Sequence, residues 1–538
     1  MSNLNTVEPF GEGFISALCP ELILFAGLIL LIVVPNLGSG KFRIPGTQTR
    51  VPWLLGGKRF KLTSDPRLPS WIAVLTIGSS FVMTILSFQD GVERTAIVSE
   101  GGTQLLMINA FSRVFELIFF GALTLAAFAC MNRLDVKGVG AKLSTDELYN
   151  NRRQGDFYIL MITCALGMSI VALAQDLFVL FIGLELASFS TYVLVAFFKE
   201  SKAGTEAGMK YFIVGSVASG VGLYGLSMLY LWAGSLQLDV LAETFALSGS
   251  EALPMIGIGF VLVGFGFKVS AAPFHFAAPD AYSGASSPVA GVLATASKAM
   301  GIVGLLRILL IVAAPESSED GTVWLVCLGL LSVVTMTWGN LAALGSTNPK
   351  RMLAYSSVAH AGYMLAAITA IGAWNWDETL SGDPGEAAIV VLTALMFHLM
   401  VLVAFKLGAF LVLSVLESEG GGSRLSSLGG LAKREPFLAV AMFIFMISLA
   451  GVPPLAGFMS KLLVIMGIVK VALGDMRIRV VMFFEEPEEG RTGPLPAGWQ
   501  VRFAILACLL ATLFMGVASD KILEICETAA QSFNYNWA

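Results

Sequence analysis

Apolar residues run along this chain in blocks of about twenty, separated by short polar connections and without the sustained alternation that barrel strands require. Such a block is long enough for an α-helix to cross the hydrocarbon layer. The pattern predicts spans near 18–36, 71–89, 105–131, 157–174, 177–198, 207–233, 254–278, 286–314, 322–346, 351–373, 386–416, 437–470 and 502–518. The fold class is therefore all-α and polytopic, with roughly thirteen transmembrane helices, because only helices satisfy their own backbone groups in lipid. Two apolar stretches are interrupted by proline beside a lysine: Gly266 to His275, around Pro273, and Ser448 to Lys461, around Pro453 and Pro454. Paired interruptions of this kind point to a transport site.

Composition agrees with the pattern. Of 538 residues, 56% are hydrophobic and 13% charged, with mean hydropathy +0.79, whereas soluble domains carry about a quarter charged residues. The net charge of −5 sits in the connections, so its distribution matters more than its sum, and nothing supports nucleic-acid binding. Lys41, Arg43, Arg50, Lys58, Arg59, Lys61 and Arg67 place the first connection on the cytoplasmic side and the N-terminus outside. The first apolar run follows Glu8 and Glu12 with no basic residue before it, and reads as a retained span rather than a signal peptide. Charge alternation then holds until the connection carrying Arg477, Arg479, Arg491 and Arg502, which falls on the wrong side. A crossing between Lys470 and Glu485 would restore it, but those residues are too few for a helix of about twenty, so either a helix is lacking here or the segment crosses irregularly inside protein. The six cysteines are scattered and form no metal or cluster motif, so they read as packing residues.

The candidate chemistry lies in ionisable groups inside spans: Glu185, Lys210, Lys268, Lys298, Lys406 and Lys461, with His360, His398 and, near a helix end, His275. A charge at mid-membrane costs about 2.5–3.5 kcal/mol even on a lenient scale, so such groups pair or line a path. Glu185 can pair with Lys210 on the next span, or Lys210 can snorkel to the interface. Arg113 and Glu116 are spaced to pair on one helix face, and Arg307 can snorkel. Lys268 and Lys298, on adjacent spans, suggest a relay: two ammonium groups about 7 Å apart repel by roughly 2.4 kcal/mol at an effective dielectric of 20, so protonating one tends to expel a proton from the other. His360 and His398 can bridge the two interrupted halves or be hydrogen-bonded core residues. No nucleotide-binding, haem-attachment or iron–sulfur motif is present, so electrons are expected to be handled by other chains.

Seven motifs occur in order: FIGLELASFSTY, AGMKYF, GFKVSAAPFH, APDAYSGASSPV, LATASK, GNLAALGSTNPKRMLAYSSVAHAGYM and SLAGVPPLAGFMSK. Over about residues 100–515 the chain resembles the antiporter-like subunit N of complex I-like enzymes. That resemblance implies a fourteen-helix fold with two inverted five-helix repeats, here 157–314 and 322–485, preceded by N-terminal helices and a basic loop in 1–156 and followed by a last helix in 486–538. It implies proton translocation driven by electron transfer to a membrane quinone or phenazine in neighbouring subunits, with no cofactor in this chain and flavin and iron–sulfur clusters in its partners. Those partners would be antiporter-like paralogues and small helical subunits in a hetero-oligomer of the cell membrane, in contact with lipids. By motif, Glu185 and Lys210 would form the entrance ion pair, Lys268 the group that pair modulates, Lys298 the central relay and Lys461 the exit lysine. The resemblance also implies a helix missing near 470–485 and an unusual charge at Lys406. The basic first connection and the glycine-rich loop at Gly420 to Gly430 favour the archaeal version fed by a reduced deazaflavin. The alternative reading is a subunit of a multi-subunit sodium/proton antiporter.

Overall fold

A helix or a pair of helices coincides with each of the thirteen predicted spans in the computed structural model, which describes residues 5–11, 13–36, 41–43, 50–52, 67–89, 95–99, 102–132, 145–248, 251–312, 322–373, 384–422, 424–464, 498–517 and 519–532. Among the described residues, nine helices are long and apolar enough to cross a membrane, or ten if a bent C-terminal pair is counted as one, and two shorter apolar helices accompany them. The stretch from Lys461 to Glu485, expected to be one helix short, falls largely on residues 465–497, outside the described ones.

The N-terminal body comprises α1 (Phe14–Ala17), α2 (Cys19–Asn36), α3 (Leu68–Gln89), α4 (Ala110–Ala129) and α5 (Thr145–Leu173). Strands were not expected, yet β1 (Asn5–Val7), β4 (Thr95–Val98) and β5 (Gln104–Ile108) form a small sheet, and β2 (Lys41–Arg43) pairs with β3 (Arg50–Pro52). The run from 105 thus begins as a strand and turns helical only at Asn109, whose side chain accepts from Ser112 N and closes a capping box. Leu18, Ile97, Ile108 and Leu173 form a separate apolar cluster there, so the sheet closes one end of α2 and α5.

Next come α6 (Leu177–Val195), α7 (Lys202–Ala233), α8 (Leu238–Ser248) and α9 (Ala252–Val269). Asp176 caps α6 by accepting from Phe178 N and Val179 N. Gly225 of α7 lies so close to Gly257 O of α9 that a Cβ there would sit 2.5 Å from it, the close backbone approach that small residues permit between membrane helices. The first break follows α9: Ser270 turns left-handed at φ 62°, Ala272 N finds Thr335 Oγ1 at 2.9 Å, and the chain resumes as α10 (Ala277–Gly284), α11 (Ser287–Ala294) and α12 (Ala296–Leu306).

The second half holds α13 (Thr322–Gly345), α14 (Pro349–Ala373), α15 (Pro384–Leu402), a π-helical turn at Val403–Leu407, α16 (Gly408–Ser418), α17 (Leu431–Arg434), α18 (Pro436–Ala450) and α19 (Ala456–Val464), followed by α20 (Trp499–Val517) and α21 (Ser519–Gln531). Its break lies between α18 and α19, where Gly451 takes φ 81°. The span of α11 and α12 is buried throughout, and that of α15 and α16 nearly so, whereas α7 and α13 turn most of their surface outward. The enclosed spans carry Lys298, His398 and Lys406.

Candidate functional site

Lys298 projects from α12 with 1% of its surface exposed. Its ammonium donates to Val269 O, the last carbonyl of α9, at 2.9 Å, and to Ser357 O of α14 at 2.9 Å. The break in α9 leaves carbonyls without intrahelical partners and a partial negative charge at the helix end, and the lysine answers both. The second break repeats the device: Lys461 of α19 donates to Leu449 O near the end of α18. Each break therefore presents a helix-end carbonyl to a lysine, brought by the following span in the first case and by the far half of the broken span itself in the second.

Lys268, near the end of α9, is also buried, and donates to Ser188 Oγ of α6 at 2.8 Å. Glu185 lies one turn before Ser188, accepts from Ser219 Oγ of α7 at 2.5 Å, and is within electrostatic reach of Lys268. The expected Glu185–Lys210 pair is not formed. Helices α6 and α7 run antiparallel with Glu185 level with Ser219, so Lys210 lies about two and a half turns, roughly 13 Å, away along α7. Lys210 instead pairs with Glu206 at 2.7 Å and Asp280 at 3.2 Å and is half exposed, as the snorkelling alternative has it. Asp280 also receives Arg351, which ties α10 to α14 at the same end.

Within the second half, His360 of α14 and His398 of α15 are wholly buried and hydrogen-bonded, Nδ1 to Nε2, at 2.9 Å, and His398 Nδ1 meets Ser460 Oγ of α19 at 3.1 Å. Ser460 Oγ can also donate to Gly457 O at 3.1 Å. Two neutral arrangements follow. If Ser460 donates to Gly457 O, the rings donate toward Ser460 and His360 Nε2 is a bare acceptor; if Ser460 donates to His398, the polarity reverses and Nε2 carries the proton. Exchange between the two moves a proton along the pair. His360 lies within electrostatic reach of Lys298, Lys406 and Lys461, so it faces the lysines of both halves. Lys406 sits fully buried in the π-helical turn, a geometry common at functional positions.

One further expectation changes. Arg307 does not snorkel: it is 2% exposed, donates to Ala172 O and stacks over Phe111 at 5.8 Å, because the π-helical segment Arg307–Val312 aims it into the bundle. His275, 9% exposed, packs its edge on Trp338, and Pro273, Pro453 and Pro454 occupy the breaks as expected. The residues not anticipated are the hydroxyls and carbonyls that join the charges: Ser219, Ser357 and Ser460. One-turn spacing between Ser357 and His360, and adjacency of Ser460 to Lys461, were the available signals.

Glu185→Gln is expected to lower proton-coupled turnover at least about tenfold, the equivalent of one charge-assisted hydrogen bond of roughly 1.5–3 kcal/mol. Asp176→Asn should stay near wild type, since asparagine caps a helix equally well. Proton uptake by the two variants in reconstituted membranes makes the comparison; equal activities would remove Glu185 from the path.

A family model described as NADH:quinone oxidoreductase/Mrp antiporter, transmembrane, matches residues 174–382 and 385–483. NADH-quinone oxidoreductase subunit N 2 of Roseiflexus castenholzii is 35% identical over 81% of this chain and 86% of its own length. F(420)H(2) dehydrogenase subunit N of Methanosarcina mazei is 31% identical over 95% of this chain and 98% of its own. Among solved structures, a chain of respiratory complex I from Thermus thermophilus superposes with a TM-score of 0.68 at 27% identity, over 94% of this chain and 98% of that one. A chain of the Mrp complex from Dietzia reaches 0.73 at 20% identity, over 96% of each, a likeness of fold.

Proposed function

The chain belongs to the NADH:quinone oxidoreductase/Mrp antiporter transmembrane family, and on that premise we propose that it is the proton-translocating subunit N of a complex I-like oxidoreductase. It is a membrane protein, and its relatives are subunits of hetero-oligomeric membrane complexes. The observation that carries the reading is a series of intramembrane groups, buried at Lys268, Lys298, His360 and His398 and half-buried at Glu185 and Lys461, bonded to Ser188, Ser357 and Ser460 and spanning both helix breaks.

Each group has a task that its surroundings support. Glu185 sets the charge felt by Lys268. Lys268, held by Ser188, and Lys298, held by two carbonyls, exchange charge through mutual repulsion, since neither ammonium is neutralised by a buried carboxylate in direct contact. The histidine pair takes the proton from Lys298 and carries it through the second half, where Lys461 and Lys406 receive it. The parallel placement of Lys298 and Lys461 on broken-helix carbonyls supports two repeats, 157–314 and 322–485. The basic first connection supports an external N-terminus. Electron transfer to a quinone or phenazine belongs to neighbouring subunits, which also bind the flavin, the iron–sulfur clusters and the donor, whether NADH or a reduced deazaflavin.

The whole complex in sealed liposomes, oriented with its donor site outside, tests the reading. Quinone reduction should acidify the lumen without sodium. A sodium/proton antiporter would instead need an imposed ion gradient, and lumen acidification that depends on sodium would overturn the assignment.

A further inference from the structure

A second buried charge cluster lies in the N-terminal helices, apart from the lysine series. Arg113 of α4 donates to Glu116 at 2.5 Å, to Glu21 of α2 at 3.2 Å and to Ala17 O. Ser169 Oγ of α5 lies 3.0 Å from Glu21 Oε1 and 2.7 Å from Glu116 Oε1. Arg113 and Glu116 are 3% and 0% exposed, and Glu21 is 11%.

Two counts do not close if all three ionisable groups are charged. Two carboxylates face one guanidinium, leaving a net negative charge in a site from which water is nearly excluded, a costly state. The hydroxyl of Ser169 has one hydrogen yet touches two carboxyl oxygens, so one contact lacks a proton. Inside the same cluster, Glu21 Oε2 and the buried Arg113 Nε have no partner. No other cation among the described residues pairs with either glutamate. Arg307 reaches α4 and α5 through Phe111 and Ala172 but makes no ion pair. Helix α3 contributes no ionisable side chain, and α21, which the chain leaves at Ser532 beside Asn109 and Phe111, turns Glu524 and Glu527 outward.

We propose that Glu21 and Glu116 hold one proton between them, making the cluster a proton-binding site distinct from the lysine path. With that proton on one carboxyl, the charge is balanced and Ser169 accepts from the acid while donating to the other. Glu21, the more exposed carboxyl, exchanges the proton with water in the first turn of α2, and Glu116 is its inner partner.

Infrared absorption of the intact complex in lipid tests this. Wild type should carry a protonated-carboxyl carbonyl band that shifts in heavy water. Glu21→Gln and Glu116→Gln should each lose it, because one carboxylate then balances Arg113. Ser169→Ala should keep the band at a displaced frequency, and it decides the matter should neither glutamine variant assemble. Wild-type stability should also fall as pH rises and the shared proton leaves, and more steeply than in either glutamine variant. A band that survives both glutamine changes, or that Ser169→Ala leaves unmoved, overturns the proposal.

Discussion

Lys298→Ala is expected to reduce proton translocation to background while quinone reduction continues in neighbouring subunits. The side chain joins the first break to the second half by a charged contact, through Val269 O and Ser357 O. Its removal strands the helix-end carbonyl Val269 O, at about 1–3 kcal/mol, whereas Ser357 O sits mid-helix in α14 and keeps its intrahelical donor; it also relieves the cost of a buried charge, so the complex should still assemble. Lys298→Arg sharpens the experiment. A guanidinium can satisfy both carbonyls yet stays charged, so a relay that must alternate between charged and neutral should fail with arginine as it does with alanine. Rescue of pumping by arginine would mean that Lys298 is a strut, and the readout is lumen acidification per quinone reduced.

Gly457→Ala should cause the largest loss of assembly among the glycine substitutions. A Cβ at this position would lie 1.8 Å from Ser448 O and 2.6 Å from its carbonyl carbon. Backbone cannot swing aside as a side chain can, so α18 and α19 must part. Overpacking of this kind costs about 1–3 kcal/mol and sometimes more, and the upper end applies here. The displacement would also carry Ser460 away from His398 and Lys461 away from Leu449. Gly220→Ala is the control: a Cβ there meets nothing within 4 Å on α7, so the helix should gain roughly 0.5–1 kcal/mol. Thermal midpoints and yields of the intact complex compare the two, and a stable Gly457→Ala complex would show that the second break is loose.

Much of the site was legible because the membrane makes polar residues conspicuous. A lysine in a span such as that of Lys298 has few physical explanations, and a proline beside it narrows them further. The positions of Lys268, Lys298, Lys461 and the two histidines were therefore visible, as was the pairing of Arg113 with Glu116 at one-turn spacing. The Glu185–Lys210 pair failed for a reason the sequence does not carry. Register between two helices depends on where each begins and on which small residues meet, and here Gly208 sits against Ala196 and Gly215 against Tyr192. That setting brings Glu185 to Ser219 and leaves Lys210 to the interface. The strands of the N-terminal sheet escaped notice because they are three to five residues long and adjoin apolar runs that read as helix.

By itself the sequence determined the solvent, the helical class, the approximate spans, the two interruptions and several of the buried charges, Lys268, Lys298 and Lys406 among them. Each follows from length, polarity or proline chemistry within a single segment. Only the tertiary structure decided which charges meet: Lys268 with Ser188, Lys298 with two carbonyls from separate helices, His360 with His398, and Glu21 with a carboxyl almost a hundred residues away. Hydrogen bonds act over about 3 Å, and no local pattern fixes helices to that tolerance; the packing of their faces does.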